Sequence, residues 1–113
     1  MQQVTVNDVL VEARRLLVTV GWCQDKSCER DDNGQICAYC LTGTIQLGGK
    51  RLMGLPLETD TDACPVIVQA FDRADLALAD YIKRPIEIWM WNDEVTRKQS
   101  EVIAFLDTII KKD

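Results

Sequence analysis

The feature that most constrains the fold is an unbroken apolar stripe that lies between two prolines, Pro65 and Pro85. Apolar side chains recur there at the i, i+3, i+4, i+7 spacing of an α-helix that buries one face. The stripe consists of Ile67, Ala70, Phe71, Ala74, Ala77, Leu78, Tyr81 and Ile82. Proline is tolerated in the first turn of a helix and breaks its interior. The sequence therefore predicts a long helix over residues 65–82, capped by Asp62 or Cys64 and ended by Pro85.

A second apolar stripe covers residues 6–20 and has clear end signals. Thr5 and Asp8 have the spacing of a capping box, in which each side chain binds the backbone N–H of the other residue. Gly21 follows the last apolar position, as is common at the end of a helix. These signals predict the first helix of the domain.

The C-terminal part of the chain contains a third stripe, at residues 102–110. Thr96 and Gln99 predict a capping box at the start of this last helix. The preceding segment, residues 86–91, is apolar but too short for its period to separate a strand from a helix. Its secondary structure stays open at this stage.

The segment after the first helix is polar and contains Asn33-Gly34, a dipeptide that favours a type I′ hairpin turn. We therefore expect a short, irregular β-hairpin or a knuckle-like loop there, and not a long sheet. Residues 37–47 follow as a short helix, with Gly48-Gly49 as its C-cap and Gly43 marking a close approach to another backbone. Residues 50–62 are expected to form an exposed loop.

These elements predict one compact domain over residues 1–113, mainly α (α+β). It has about four helices and a short irregular β-hairpin between helices 1 and 2. With 13 basic and 18 acidic residues the net charge is −5, which disfavours binding to nucleic acid. The sequence contains neither a secretory signal nor a membrane-spanning stretch, so we expect a cytoplasmic protein with reduced thiols.

Four of the five cysteines, Cys23, Cys28, Cys37 and Cys40, lie within eighteen residues, and the chain has no histidine. We call these four residues the cysteine cluster. The lack of imidazole excludes Ser–His–Asp and Cys–His catalysis and all mixed Cys/His zinc sites. The spacing is compatible with two thiolate pairs around one structural zinc ion. The more common alternative is reduced thiols that pack as small hydrophobes, so we expect no cofactor first, zinc second and an iron–sulfur cluster third.

Three segments of the chain together resemble a known family. They are Gly21-Trp22-Cys23-Gln24, Cys40-Leu41-Thr42-Gly43-Thr44, and Trp91-Asn92-Asp93 with Arg97 and Glu101-Val102 close behind. Their order and spacing are similar to those of a domain-of-unknown-function family of small bacterial and phage proteins, with Trp-Cys-Gln, Cys-x-x-Gly-Ala and Trp-Asn-Asp signatures. Thr44 replaces the family's alanine, and Glu94-Val95-Thr96 replaces its Pro-Gly. The resemblance implies no activity, but it indicates candidate ligand-binding residues: Trp22, Cys23, Gln24, Cys40, Trp91, Asn92, Asp93 and Arg97.

Residues 22–24 follow the first helix directly, and residues 91–93 directly precede the last. If these helix ends lie side by side, Gln24, Asn92 and Asp93 should converge within hydrogen-bonding reach of one another or of Arg97. Convergence would build either a polar ligand site against an aromatic floor or a clasp between two helix ends. The clasp is favoured, since Asx side chains commonly make local hydrogen bonds. Arg97 is predicted to pair with a carboxylate such as Asp93.

The sequence thus favours a non-enzymatic binding module for a protein partner or a small ligand. Two alternatives remain open. One is a thiol-dependent enzyme or redox protein that uses Cys23 or Cys40, and the other is a zinc-stabilised adaptor.

Overall fold

The computed structural model describes residues 3–83 and 86–110, and within them the chain is mainly helical. The helices are α1 (Val6–Thr19), α2 (Leu41–Leu52), α3 (Pro65–Ile82), α4 (Ile88–Asn92) and α5 (Gln99–Ile109), with one 3-10 turn at Thr61–Ala63. Strands β1 (Cys28–Arg30) and β2 (Ile36–Tyr39) form an antiparallel hairpin between α1 and α2. The predicted fold class is confirmed.

Helix α1 begins and ends where the sequence predicts. The Thr5 hydroxyl accepts a hydrogen bond from the Asp8 N–H at 3.1 Å, and the Asp8 carboxylate accepts one from the Thr5 N–H at 2.9 Å. At the other end Gly21 has φ +146° and donates its N–H to the Leu16 carbonyl at 3.2 Å. The capping box is confirmed, and it satisfies backbone donors that a helix start leaves unpaired.

The hairpin has the expected place but a different turn. Gly34 has φ +78°, whereas Asn33 is absent from the described residues with positive φ, so the turn is not of type I′. The Asp31 carboxylate explains the difference, because one of its oxygens accepts the backbone N–H groups of Asn33 at 2.9 Å and Gln35 at 3.0 Å. This Asx-type bonding holds the loop in a wider turn.

The helix predicted over residues 37–47 is present as α2, but its bounds and its Gly48-Gly49 C-cap are wrong. Residues Ile36–Tyr39 form β2, and α2 begins only after Cys40. Both glycines lie inside α2, where a Cβ on Gly48 would be 2.7 Å from Leu16 Cδ1 and one on Gly49 would be 2.9 Å from Ile67 Cγ1. The glycines therefore allow α1 and α3 to approach α2 closely.

Gly43 is a confirmed point of close approach. A Cβ at this position would lie 1.9 Å from the carbonyl oxygen of Ser27, which also accepts the Cys40 N–H at 3.1 Å. The first turn of α2 thus packs directly on the backbone that leads into β1. No side chain fits between them.

The prediction of an exposed loop over residues 50–62 is wrong at its start. Helix α2 continues to Leu52, and Lys50 is only 2% exposed. Its Nζ donates to the carbonyl oxygen of Leu57 at 3.2 Å. The lysine side chain therefore ties the following loop to the end of α2.

The C-terminal elements complete the core. Residues 88–92 form the short helix α4, which answers the question that the sequence left open. Helix α5 begins at Gln99, so the predicted Thr96–Gln99 capping box is wrong; instead, the Glu101 carboxylate accepts the Lys98 N–H at 2.8 Å. The role of Pro85 in ending α3 lies outside the described residues.

Helix α1 packs against α2, α3 and α5, and their apolar faces enclose one main core. Trp91 of α4 and Phe105 of α5 meet edge to face, with ring centroids 5.4 Å apart. In the part of the chain that the structure describes, no helix has the length and apolarity needed to cross a bilayer. The largest fully buried side chains are Tyr39, Phe105, Leu10, Leu16, Leu17, Leu41, Ile45, Ile67, Leu78, Leu106, Val9 and Val102.

Candidate functional site

Backbone pairing with β2 fixes the position of the segment that follows α1. The Tyr39 N–H donates to the Gly21 carbonyl at 3.0 Å, and the Cys23 N–H donates to the Tyr39 carbonyl at 2.9 Å. These two bonds place Trp22 and Cys23 beside the end of β2. Residues 22–24 therefore lie next to the first turn of α2.

The Asn92 side chain, which is 0% exposed, lies at the centre of the candidate site. Its Oδ1 accepts hydrogen bonds from Trp22 Nε1 at 2.7 Å and from the Leu41 N–H at 3.0 Å. Its Nδ2 donates to the Cys23 carbonyl at 3.2 Å and to Asp93 Oδ1 at 3.0 Å. All four bonds that a buried amide can make go to the protein itself.

A second layer of bonds surrounds Asn92. Gln24 Nε2 donates to the carbonyl oxygens of Asn92 at 3.0 Å and Glu94 at 2.8 Å. Asp93 Oδ1 accepts the backbone N–H of Asp25, which has φ +69°, at 2.9 Å. The predicted convergence of Gln24, Asn92 and Asp93 is confirmed. We call Trp22, Gln24, Asn92 and Asp93 the clasp, because they join the end of α1, the start of α2 and the end of α4.

Arg97 lies beside the clasp and stacks on Trp91, with its guanidinium carbon 4.2 Å from the ring centroid. Its Nε donates to the Trp91 carbonyl at 3.1 Å, and its other nitrogens contact the carboxylates of Glu94 at 2.8 Å and Glu101 at 3.4 Å. The expected carboxylate partner is thus present, but it is not Asp93. Arg97 lies before α5 begins, so the adjacent acids rather than the helix dipole determine its environment.

A cavity of about 350 Å³ opens next to this stacked pair. We call it the Trp91 pocket, and its lining residues are Tyr81, Ile82, Trp91, Arg97, Ser100, Glu101 and Ala104. Two of the predicted ligand-binding residues, Trp91 and Arg97, line it. Glu101 belongs to one of the segments that carry the family resemblance, whereas Tyr81 and Ser100 carried no signal in the sequence beyond their helical positions.

The cysteine cluster is divided between two environments. Cys23 and Cys40 are 7% and 5% exposed and pack together with Ala38, whereas Cys28 is half-buried and Cys37 is exposed. Burial raises the pKa of Cys23 to about 12, helped by the neighbouring thiols and Glu29. Both buried thiols are therefore held in the protonated form at neutral pH, which is a poor state for a nucleophile.

Cys40 also acts as the N-cap of α2. Its Sγ accepts the Gly43 N–H at 3.2 Å, and burial raises the pKa of this thiol more than the hydrogen bonds lower it. Cys37 lies on β2 rather than at a helix start, and its Sγ contacts the Glu29 carbonyl. Within residues 3–83 and 86–110, three or more Cys, Asp or Glu side chains do not come together as a group that could hold a metal ion. The expectation of no cofactor, with zinc as the alternative, stays a prediction.

A match to a family model extends over residues 1–112. The chain belongs to the family of unknown function DUF6197. Membership in DUF6197 confirms the resemblance to a small domain of unknown function and carries no activity with it. Comparison with curated proteins and with solved structures gave no match.

This DUF6197 domain also has an apolar surface that sequence reasoning missed. A groove of about 460 Å³ lies between α3 and α4. We call it the α3–α4 groove, lined by Asp75, Leu76, Ala79, Ile86, Glu87 and Met90. Leu76 is 75% exposed and lies outside the buried stripe of α3. This position is only a weak indication of a binding surface in the sequence, because single exposed leucines are common.

Proposed function

We propose that this DUF6197 protein is a non-enzymatic interaction module that binds a protein partner through the α3–α4 groove. One observation carries the proposal: Leu76 and Met90, which are 75% and 46% exposed, line the same apolar groove. Apolar side chains clustered on a surface are typical of interaction sites, whereas singly scattered ones are not. A partner that covered both side chains would remove a large apolar area from water, and this burial would favour binding.

The polar groups of the clasp are already hydrogen-bonded within the chain, which favours a binding surface elsewhere on the domain. Asn92 is fully hydrogen-bonded within the chain, and Gln24 donates to two backbone carbonyls. A ligand could use these groups only by breaking existing bonds in a buried setting, which is costly. The clasp is therefore better suited to fixing the position of α4, and α4 forms one wall of the groove.

The buried thiols give little support to the thiol-enzyme alternative. Cys23 and Cys40 are both protonated at neutral pH and nearly inaccessible, so neither has the features of a reactive cysteine. All five cysteines are free thiols. Free thiols persist in reducing compartments, so we infer a cytoplasmic setting for the module.

A second candidate function is the binding of a small ligand in the Trp91 pocket. The observation in its favour is that Trp91 and Arg97, two predicted ligand-binding residues, line this cavity. A thermal-shift screen of small polar ligands tests it. The thermal shift caused by a ligand of this pocket should disappear in Ser100→Phe, because the new side chain fills the pocket from an exposed helix position. The same shift should remain in Leu76→Ser.

The protein-partner proposal is tested by panning a displayed random-peptide library against the domain. We expect selected peptides to lose at least about tenfold in affinity for Leu76→Ser and for Met90→Ser, since truncated apolar anchors have effects of this size. Val18→Ser is the matched control, because Val18 is 54% exposed on α1. Peptides that bind the Leu76→Ser and Val18→Ser proteins equally well would contradict the proposal.

A further inference from the structure

The α3–α4 groove is lined by both apolar and acidic residues. Leu76, Ala79, Ile86 and Met90 provide the apolar surface. Among the described residues, the charged ones that line the groove are Asp75 and Glu87, and both are acidic. A partner that fits this groove must therefore bring apolar side chains and tolerate negative charge around them.

The acidic character extends along the exposed edge of α3. Asp72 and Asp80 are exposed and lie one turn before and one turn after Leu76, so an acid flanks the leucine on each side. Burial raises the pKa of the Asp75 carboxyl, and the nearby charges of Glu87 and Asp72 raise it further. The mutual repulsion of these carboxylates would be relieved by cationic groups from a partner.

The described basic groups do little to offset this charge. Lys83 pairs with Asp80 at 3.5 Å, and both side chains are about four-fifths exposed, with relative exposures of 79% and 86%. An exposed pair of this kind is weak and easily rearranged. Within the described residues, Asp72, Asp75 and Glu87 make no ion pair with Lys or Arg.

The walls of the groove also indicate the shape of the partner segment. The groove is lined by α3, by residues 86–87 and by Met90 of α4, and none of the described strands lines it, so an extended peptide would find no sheet edge to pair with. A helical segment satisfies its own backbone hydrogen bonds and inserts side chains at the i, i+3, i+4, i+7 positions into such grooves. A second copy of this chain is a poor occupant, because its net charge is −5 and its own groove is acidic.

From these features we propose that the α3–α4 groove binds a cationic amphipathic helix of a partner protein. This inference rests on the proposed function and adds the chemistry of the partner. Apolar anchors of the partner helix contact Leu76, Ala79 and Met90. Lys or Arg residues at the edges of its apolar face lie near Asp72, Asp75 and Glu87.

The test uses three labelled synthetic peptides of equal length and the full chain, with binding followed by fluorescence anisotropy. The first peptide has leucines at helical spacing and lysines on the remaining face; the second keeps the leucines and replaces lysine with glutamate. The third is a scramble of the first that destroys the apolar stripe. We expect the first peptide to bind at least about tenfold more tightly than either of the others. Its affinity should fall as salt is added.

Protein variants locate the site. Leu76→Ser should lower the affinity for the first peptide at least about tenfold, because it removes an apolar anchor of the interface. Val18→Ser should leave this affinity unchanged. The double variant Asp72→Asn with Glu87→Gln should flatten the salt dependence, because it removes charge and keeps the shape of both side chains. Circular dichroism of each variant, matched to the wild-type spectrum, shows that the fold is retained.

The possible outcomes separate this inference from the proposed function. If the acidic peptide binds as well as the basic one and both need Leu76, the cationic inference fails and the interaction module stands. If the scramble binds equally well, the attraction is non-specific and the inference fails. If neither amphipathic peptide binds, both proposals fail. A dimer in analytical ultracentrifugation that Leu76→Ser converts to a monomer would identify a second copy as the occupant and overturn the inference.

Discussion

The replacement Asn92→Ala tests whether the clasp holds the fold together. The variant removes four hydrogen bonds at once and leaves their partners in place. Asp93 keeps the Asp25 N–H as a partner, and the half-buried Trp22 indole can turn towards water. The Leu41 N–H and the Cys23 carbonyl have no other partner among the described residues in place of Asn92 and no access to water, since both belong to buried residues.

The expected loss follows from those two groups. A buried donor or acceptor left without a partner costs about 1–3 kcal/mol, so two of them together cost about 2–6 kcal/mol. The free energy of unfolding of a domain this size is about 5–15 kcal/mol, so a loss of about 3 kcal/mol would be a large share of it. Such a loss is readily measured.

The assay is equilibrium unfolding in urea, followed by far-ultraviolet circular dichroism. Asn33→Ala is the matched control, because Asn33 is exposed in the hairpin turn and the same atoms are removed. We expect the control to change stability by less than about 0.5 kcal/mol. If Asn92→Ala changed the free energy of unfolding as little as the control does, the clasp would not be a stabilising feature. Its polar groups would then be better explained as a binding site.

Four further predictions concern the close approach at Gly43 and the cysteine cluster. Gly43→Ala should prevent folding or displace α2, because its Cβ would lie 1.9 Å from the Ser27 carbonyl oxygen. Gly34→Ala should retain the native circular dichroism spectrum, because nothing lies within 4 Å of its Cβ and the strain at φ +78° costs only about 1–2 kcal/mol. Alkylation at neutral pH should modify the exposed Cys37 first and leave Cys23 protected, and rapid alkylation of Cys23 in the folded protein would contradict its burial. The raised pKa of the Cys23 thiol favours the folded state below the unfolded-state pKa, so stability should fall as pH rises from about 9 towards 12. Protein purified under reducing conditions should contain no stoichiometric zinc and keep its melting temperature in a strong chelator, whereas one equivalent of zinc would restore the cysteine cluster as a metal site.

The helices could be predicted where local signals determined them. The stripe of α3 and the Thr5–Asp8 capping box depend on residues within a few positions of one another, and both are confirmed. Gly48-Gly49 was misread because a glycine pair can end a helix or allow a close contact. Which of the two applies depends on Leu16 and Ile67, which lie far away in the chain.

The site could be predicted to a similar extent. The meeting of Gln24 with Asn92 followed from two helix ends with matching polar residues. The remaining partners of Asn92 are the Leu41 N–H and the Cys23 carbonyl, and backbone groups of this kind leave no trace in the sequence. The α3–α4 groove was missed because a single exposed leucine such as Leu76 does not indicate a binding surface. Only the fold shows that Met90 lies beside it.

The glycines of α2 have a consequence for the order in which the chain acquires structure. Gly43, Gly48 and Gly49 all lie within this twelve-residue helix, and each disfavours helix by about 1 kcal/mol relative to alanine. A peptide so short and so rich in glycine has little helical structure in isolation. Gly48 packs on Leu16 of α1 and Gly49 packs on Ile67 of α3, so only part of the contact that stabilises α2 is available before α3. During synthesis from the N-terminus, α2 should therefore first dock on α1 and reach its full stability only after residue 67 has left the ribosome.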